Sequence, residues 1–410
     1  MTLASDCFKS ARDRCLNGRF YRDIMPQLPD EIDAFCRDAY RGGISYLNPK
    51  YEDVEITNVK VFDVNSLYPW VMKECPLPIG LGTFVDEEPT DGLFFVRFKC
   101  EFIVKDNKFP FLQLKNNVRF KSNQFVAYSN GEVELCLTSV DYKNFKNNYH
   151  IINAHDFTYL KFNSATGLLS PHIDYWMANK IKFEEQGMPF MRYIAKTFMN
   201  GFYGKTALRP KRLNVIPKYD IETGQTSYSE KEINEAEPIY IPYGAFVTAY
   251  ARDKLINTAL SVWDDFIYCD TDSVHCFVRD SYPFAIDSKL LGYWKDETKD
   301  KAYDFARYIK QKTYCHANLE VIDGKKVKKV VELKAAGLNN DARIDKETGE
   351  YKITIEDFKY GLTLNGVNLK TKTVPGGAIL ERTDWTLEKH TIDEESFLRM
   401  KEKLEGIIDG

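Results

Sequence analysis

Two stretches, Phe62-Asp63-Val64 and Tyr268-Cys269-Asp270-Thr271-Asp272-Ser273, decide how this chain folds. Val59-Lys-Val-Phe-Asp-Val64 is β-rich and reads as a strand. Phe266–Cys269 and Ser273–Val278 read as two apolar strands joined by a tight Asp-Thr-Asp turn. Aspartate is a poor strand former, so a carboxylate embedded in such sequence needs a reason. Asp270 and Asp272 are two apart, and in extended backbone they face the same side. Like charges that close raise each other's pKa unless a cation neutralises them. Oxygen ligands without His or Cys favour Mg²⁺, with Mn²⁺ as the alternative. If Asp63 faces Asp272 across a sheet, the two can hold a pair of ions about 3.5–4 Å apart, the geometry of phosphoryl transfer. A D-x-D by itself is more often an ordinary turn, and only the apolar flanks and the second aspartate argue for more.

A third stretch adds a cation. On a helix, Lys196, Asn200, Tyr203 and Gly204 of Lys196-Thr-Phe-Met-Asn-Gly-Phe-Tyr-Gly204 fall on one face. Such a face suits a nucleoside triphosphate, with Lys for phosphate charge and Tyr for the base plane. Gly201 and Gly204 would let a base pair approach the backbone. The plainer alternative is a helix that ends at a Gly cap, with Phe198, Phe202 and Tyr203 in the core.

The rest of the composition bounds the function. The chain has 410 residues, 44% hydrophobic and 28% charged, which excludes disorder, collagen and coiled coil and allows two to four structural units. The longest apolar runs, such as Gly92–Val96, fall far short of the roughly 20 residues a membrane helix needs. The first twelve residues carry no apolar signal core, so the expectation is a cytoplasmic protein, in the host cytoplasm if viral. Charges of 56 basic and 60 acidic residues argue against coating of nucleic acid by bulk charge and still allow a nucleic-acid enzyme with a local basic groove. Nine cysteines without a C-x-x-C pair argue against disulfides and zinc.

Residues 1–39 are helical in tone, with a helix start at Asp30-Glu-Ile-Asp33, and Tyr40-Arg-Gly-Gly43 is a loop. Residues 75–170 read as β-rich, and 171–207 as helical with a break near Gly187-Met-Pro189. A polar hairpin with Gly224 at its tip is expected within 208–238, then a helix from Gly244 to Trp263. Residues 312–334 are β-like and lysine-rich. Lys325, Lys326, Lys328 and Lys329, with Lys301, Arg307, Lys310 and Lys312 upstream, would line a DNA channel, or else form a solvated hairpin tip around Asp323-Gly324. The tail from Ile392 to Ile408 reads as an amphipathic helix.

Together the motifs resemble a known family. Asp63-x-x-Ser66-Leu67-Tyr68-Pro69 resembles the first palm motif of family B DNA polymerases, Lys196-x-x-x-Asn200-x-x-Tyr203-Gly204 the fingers motif, and Tyr268-x-Asp270-Thr271-Asp272-Ser273 the metal-binding palm motif, in the family's order. Tyr40-Arg-Gly-Gly43 resembles the template-strand motif of the protein-primed, phi29 phage-type subgroup, and Lys312-Thr-Tyr314 its primer-strand motif. Roughly 130 residues separate Asp63 from Lys196, where that subgroup carries its first terminal-protein insertion. The hairpin at 208–238 sits where its second insertion lies, and Val374-Pro-Gly-Gly377 resembles a thumb segment. The resemblance runs from about residue 4 to 388.

It implies an α+β, right-hand polymerase fold of palm, fingers and thumb, with an antiparallel palm sheet and two β-rich insertions. Residues 1–74 would hold an N-terminal segment and the first part of the palm, 75–172 the first insertion, 173–207 the fingers and 208–240 the second insertion hairpin. The second part of the palm would span 241–335, the thumb 336–390 and a helical tail 391–410. Asp63 and Asp272 would hold Mg²⁺ (or Mn²⁺) with the Val64 carbonyl, Asp270 close by. Tyr68 would reject a 2′-hydroxyl. Lys182 and Lys196 would bind triphosphate, and Asn200 and Tyr203 would line the base pair. Lys312 and Tyr314 would hold the primer end; Tyr40, Gly42 and Gly43 the template; Thr271, Ser66 and Gly204 would also lie along the DNA.

The implied partners are primer-template DNA, a deoxynucleoside triphosphate and a terminal protein as alternative primer, acting on a monomer with no membrane. Gly201 departs from the family's usual Ser. Only 62 residues precede Asp63, too few for the family's proofreading exonuclease, so a polymerase core without proofreading is expected. Two rivals remain. A nucleotide-sugar glycosyltransferase also uses D-x-D with Mn²⁺, but leaves Lys196, Asn200 and Tyr203 without a role. A non-catalytic DNA or terminal-protein binding module would have no need of intact carboxylates.

Overall fold

The computed structural model describes residues 3–16, 18–114, 125–209, 211–223, 225–235, 239–299, 301–322, 324–374 and 377–389. Gly224, Asp323 and the tail helix expected over 392–408 lie outside them.

The chain begins with α1 (Leu3–Cys15), α2 (Asp30–Ala39), β1 (Ser45–Leu47), β2 (Glu55–Ile56), β3 (Val59–Val64) and α3 (Leu67–Glu74). An excursion of β4 (Leu77–Val85), β5 (Leu93–Val104), β6 (Val133–Thr138), α4 (Ser139–Asn148) and β7 (Tyr149–Ala165) follows. Then come α5 (Ser170–Glu185), α6 (Pro189–Thr206), the hairpin β8 (Lys211–Tyr219) and β9 (Thr226–Glu235), and α7 (Ile241–Ser261). The second half carries β10 (Phe266–Asp270), β11 (Ser273–Phe277), β12 (Trp294–Asp296), β13 (Phe305–Lys310), β14 (Thr313–Ile322) and β15 (Lys325–Ala335). A short α8 (Asn340–Arg343) and the hairpin β16 (Thr363–Val374) and β17 (Gly377–Thr386) complete it.

The central sheet has the order β1-β10-β11-β3-β12, every pair antiparallel. A second antiparallel sheet, β15-β14-β13-β2, lies beside it, and a third, β4-β7-β5-β6, is built wholly from the excursion. Ile56, Val59, Val61, Ile267, Tyr268 and Tyr308 form the seam joining the first two sheets. Behind the central sheet runs α7, whose buried Ala245, Ala249, Ala251 and Ala259 let it pack against β10, β11, α2, α3, α4 and α6.

The break at Gly187-Met-Pro189 is real. Gly187 adopts φ +65, which costs a glycine nothing, and Pro189 opens α6 where no amide donor is needed. The expected helix from Gly244 instead starts at Ile241, because Pro242 in its first turn begins the helix.

Candidate active site

Register does the work that the sequence left conditional. Ser273 on β11 pairs with Asp63 on β3, and the Val64 amide donates to the Asp272 carbonyl at 2.8 Å. Two carboxylates 209 residues apart in the chain are thereby held on neighbouring strand ends. The reason expected for Asp270 and Asp272 does not hold. Thr271 sits in the turn at φ +58, so the three residues are not extended and the shared-face rule does not apply. Asp270 instead receives the Lys312 ammonium on both oxygens (2.7 and 2.8 Å), while Asp272 belongs with Asp63.

The electrostatics follow from that split. Burial, then Asp272 and Glu297, push the Asp63 carboxyl up to about 7; Asp272 is raised by burial and by Asp270. Lys196, exposed on α6, is near enough to lower both. Two partly buried carboxylates that oppose each other's charge, with the Val64 carbonyl at the same strand end, fit a divalent cation.

Above them, Tyr68 on α3 and Tyr203 on α6 pack at 4.3 Å between ring centroids, with burial raising both hydroxyls. The Asn200 amide donates to the Lys196 carbonyl (2.9 Å), and Gly204 has open space where a side chain would stand. Ser66, at φ +53, turns the chain from β3 into α3.

Lys182 is exposed, whereas Lys180 is buried and donates to Ser66 Oγ at 3.3 Å. Two residues on a helix differ by about 200°, so only one of the pair can face inward. Burial, with Arg192 and Lys196 nearby, lowers the Lys180 ammonium. The sequence reading missed it, although Ile173, Met177 and Lys180 mark the inward face at i, i+4 and i+7. Glu297, beside Asp63, was also missed, because it sits in a charge-rich run that reads as solvated surface.

The Tyr40–Gly43 loop lies against the turn. A Cβ on Gly43 would stand 2.6 Å from Thr271 Oγ1, so only glycine fits. Buried Arg252 of α7 donates to the Arg41 and Gly42 carbonyls while its other nitrogens grip Asp141 of α4. The cleft that opens over these groups has a volume of about 680 Å³ and is lined by Asp63, Asp272, Lys312, Tyr314 and Glu332 among others.

The basic cluster is placed differently from expectation. Lys328 pairs with Glu55 (2.6 Å) and Glu356, Lys329 with Glu320 and Glu350, Arg307 with Asp53, and Lys301 with Asp304. Lys325 and Lys326 are exposed beside the hairpin tip. No helix among the described residues is long and apolar enough to cross a membrane.

Opposed carboxylates on adjacent strand ends, with a helix lysine near them, fit metal-assisted transfer at a phosphate. Residues 1–290 match the family described as DNA polymerase type B, organellar and viral. The DNA polymerase of Bacillus phage phi29 is 34% identical, over 95% of this chain and 68% of its own. That of Streptococcus phage Cp-1 is 27% identical, over 90% and 64%. A solved structure of phi29 DNA polymerase with primer-template DNA and incoming nucleotide superposes with a TM-score of 0.80 at 31% identity, covering 95% of this chain and 68% of that one. The chain belongs to the family B DNA polymerases, in their phi29-type, protein-primed group. The mixed α+β, right-hand fold expected from the motifs is therefore the observed one.

Proposed function

We propose that this polypeptide adds deoxynucleotides to a 3′-hydroxyl, or to a hydroxyl of a terminal protein, under the direction of a DNA template. The observation that carries this is the strand register that brings Asp63 and Asp272 together beneath Lys196. Asp63, Asp272 and the Val64 carbonyl would hold Mg²⁺, which when bound acidifies the attacking hydroxyl and neutralises triphosphate charge. Lys196 and Lys180 neutralise the same phosphates from the helix side. The packed rings of Tyr68 and Tyr203 form a wall against which the sugar and base of an incoming nucleotide would lie, and a ribose 2′-hydroxyl would meet Tyr68. Asn200 and Gly204 border the same space. The Tyr40–Gly43 loop with Thr271 would carry the template, and Lys312 and Tyr314 the primer end. Positioning and electrostatics, rather than covalent chemistry by the protein, supply the rate.

The β8–β9 hairpin is proposed to separate the displaced strand, and these 410 residues are proposed to extend a mismatched end without trimming it. The palm, insertions, fingers and thumb are proposed to follow the boundaries that the motifs imply, in a monomer acting in the cytoplasm, that of a host if the protein is viral. None of the nine cysteines forms a disulfide and eight are buried, which suits a reducing compartment. Primer extension with Mg²⁺ on a template carrying a displaced strand tests the whole. Synthesis is expected from the parent chain and none from Asp272→Ala, whose DNA binding should persist. Near-normal extension by that variant would overturn the proposal.

A further inference from the structure

Beneath the primer side of the cleft lies a line of buried polar rings that the chemistry above does not use. His275 Nδ1 meets the Tyr308 hydroxyl at 2.8 Å, that hydroxyl meets His316 Nε2 at 2.9 Å, and His316 Nδ1 meets a Glu332 carboxylate oxygen at 3.1 Å. Tyr308 and His316 have no exposed surface and His275 has 1%. Burial holds both imidazoles below their ordinary range, so both are neutral, with one donor and one acceptor each.

The carboxylate sets the direction. It can only accept, so His316 carries its proton on Nδ1 and leaves Nε2 to accept from Tyr308. The Tyr308 oxygen then accepts from His275 Nδ1–H. Lys334 lies 3.5 Å from the other Glu332 oxygen and keeps that carboxylate facing the cleft. One acceptor at the rim thus fixes the hydrogen-bond sense of three buried side chains on β11, β13 and β14.

These rings are the seat of Tyr314. Its ring centroid is 4.8 Å from His316, 5.2 Å from His275, 5.4 Å from Tyr268 and 5.6 Å from Tyr308. Tyr303 stacks on the far side of His316 at 4.4 Å. The Tyr268 hydroxyl in turn accepts the Lys312 amide at 2.9 Å and donates to Asp270 at 3.3 Å. The Lys312 backbone and the Tyr314 ring are therefore anchored on one plate, and that plate is registered by Glu332.

We propose that His316 and Glu332 are positioning residues for the primer strand: through Tyr308 and His275 they set the orientation of Tyr314 and Lys312, and with it the affinity for the primer end. This rests on the assignment of Lys312 and Tyr314 to the primer. Neither residue need touch DNA or nucleotide.

The test uses the full chain with Glu332→Gln, His316→Phe and His316→Gln, and Lys312→Ala as control. A Gln at 332 presents an amide donor as well as an acceptor and scrambles the direction; a Phe at 316 removes the line; a Gln at 316 keeps donor and acceptor. The expected result is a KM for primer-template raised about tenfold by Glu332→Gln and His316→Phe, the size of one lost buried hydrogen bond, with the nucleotide KM and the rate at saturating DNA within about twofold of the parent. His316→Gln should restore most of the affinity. Nitrogen-15 NMR of the imidazoles should show neutral Nδ1–H tautomers for His275 and His316 in the parent, and a changed tautomer at His316 in Glu332→Gln. A folded His316→Phe or Glu332→Gln protein with the parent's primer KM overturns the inference if Lys312→Ala raises that KM. If Lys312→Ala also leaves it unchanged, the primer assignment itself falls. Should His316→Phe not fold, Glu332→Gln and the tautomers decide.

Discussion

Asp63 shows what an aspartate in a strand costs. In the unfolded chain its carboxyl titrates near 3.8, and in the metal-free fold it is pushed up to about 7 by burial and by Asp272. The folded protein thus keeps a proton that the unfolded chain releases, so the metal-free fold loses stability as pH rises from about 4 to 7. Asp63→Asn removes that loss. In chelator near neutral pH it should be the more stable protein by on the order of 1–3 kcal/mol, a difference that shrinks towards pH 5. Chemical denaturation at two pH values measures it, and a variant less stable than its parent at neutral pH would show that the carboxylates are compensated from within the fold. Adding Mg²⁺ should stabilise the parent and leave the variant nearly unmoved, since an ion that binds only the folded site shifts the equilibrium by mass action.

Lys180 and Lys182 allow a second comparison of neighbours. A hydrogen bond to a charged group contributes about 1.5–3 kcal/mol, so Lys180→Ala should raise the nucleotide KM at least tenfold. Lys182→Ala, on the solvent side of α5, should leave it within about twofold. Steady-state kinetics with one varied nucleotide decides, and the reverse order would mean that α5 is turned by half a revolution relative to the described structure.

Elements were legible where backbone chemistry marks their ends. Gly187 and Pro189 announce the break between α5 and α6, and the Asp-Thr-Asp turn announces β10 and β11, because turn residues carry their conformational reason with them. What joins elements was not legible. Asp141 looks like an ordinary acid in the first turn of α4, yet it is fully buried and grips Arg252 on α7, 111 residues away. No local pattern encodes such a partner. The pair ties the β4–β7 excursion to α7, and Arg252 in turn carries the Arg41 and Gly42 carbonyls. Breaking a buried pair by removing one member costs about 3–5 kcal/mol, since the other charge stays uncompensated. Asp141→Ala should therefore unfold several degrees earlier in thermal melts and bind primer-template more weakly, although Asp141 lies on a different element from the Tyr40–Gly43 loop proposed to carry the template. Loss of stability without loss of DNA affinity would mean that the loop holds its shape unaided.

At the scale of the molecule, the sequence showed which stretches meet at the cleft and left out which cations already have partners. The motifs were legible because they set particular residue types at fixed spacing, and register brought Asp63 and Asp272 together as expected. The lysine-rich stretch was not, because a sequence shows cations without their partners. Lys328 and Lys329 stand among four glutamates from β2, β14 and the region after α8, and Arg307 leans on Asp53. With a net charge of −4, attraction to DNA has to come from cations that keep their charge towards the cleft, and lysines paired with glutamates contribute little of it. Each lysine that neutralises a phosphate adds about 0.9 to the slope of log affinity against log salt. Lys328→Ala with Lys329→Ala should thus leave that slope unchanged to within about half a unit while destabilising β15, whereas removal of two phosphate contacts would lower it by nearly two. Fluorescence anisotropy of a labelled primer-template across a salt series reads the difference directly. A fall of nearly two would place both lysines on the DNA and require their glutamate partners to let go when DNA binds.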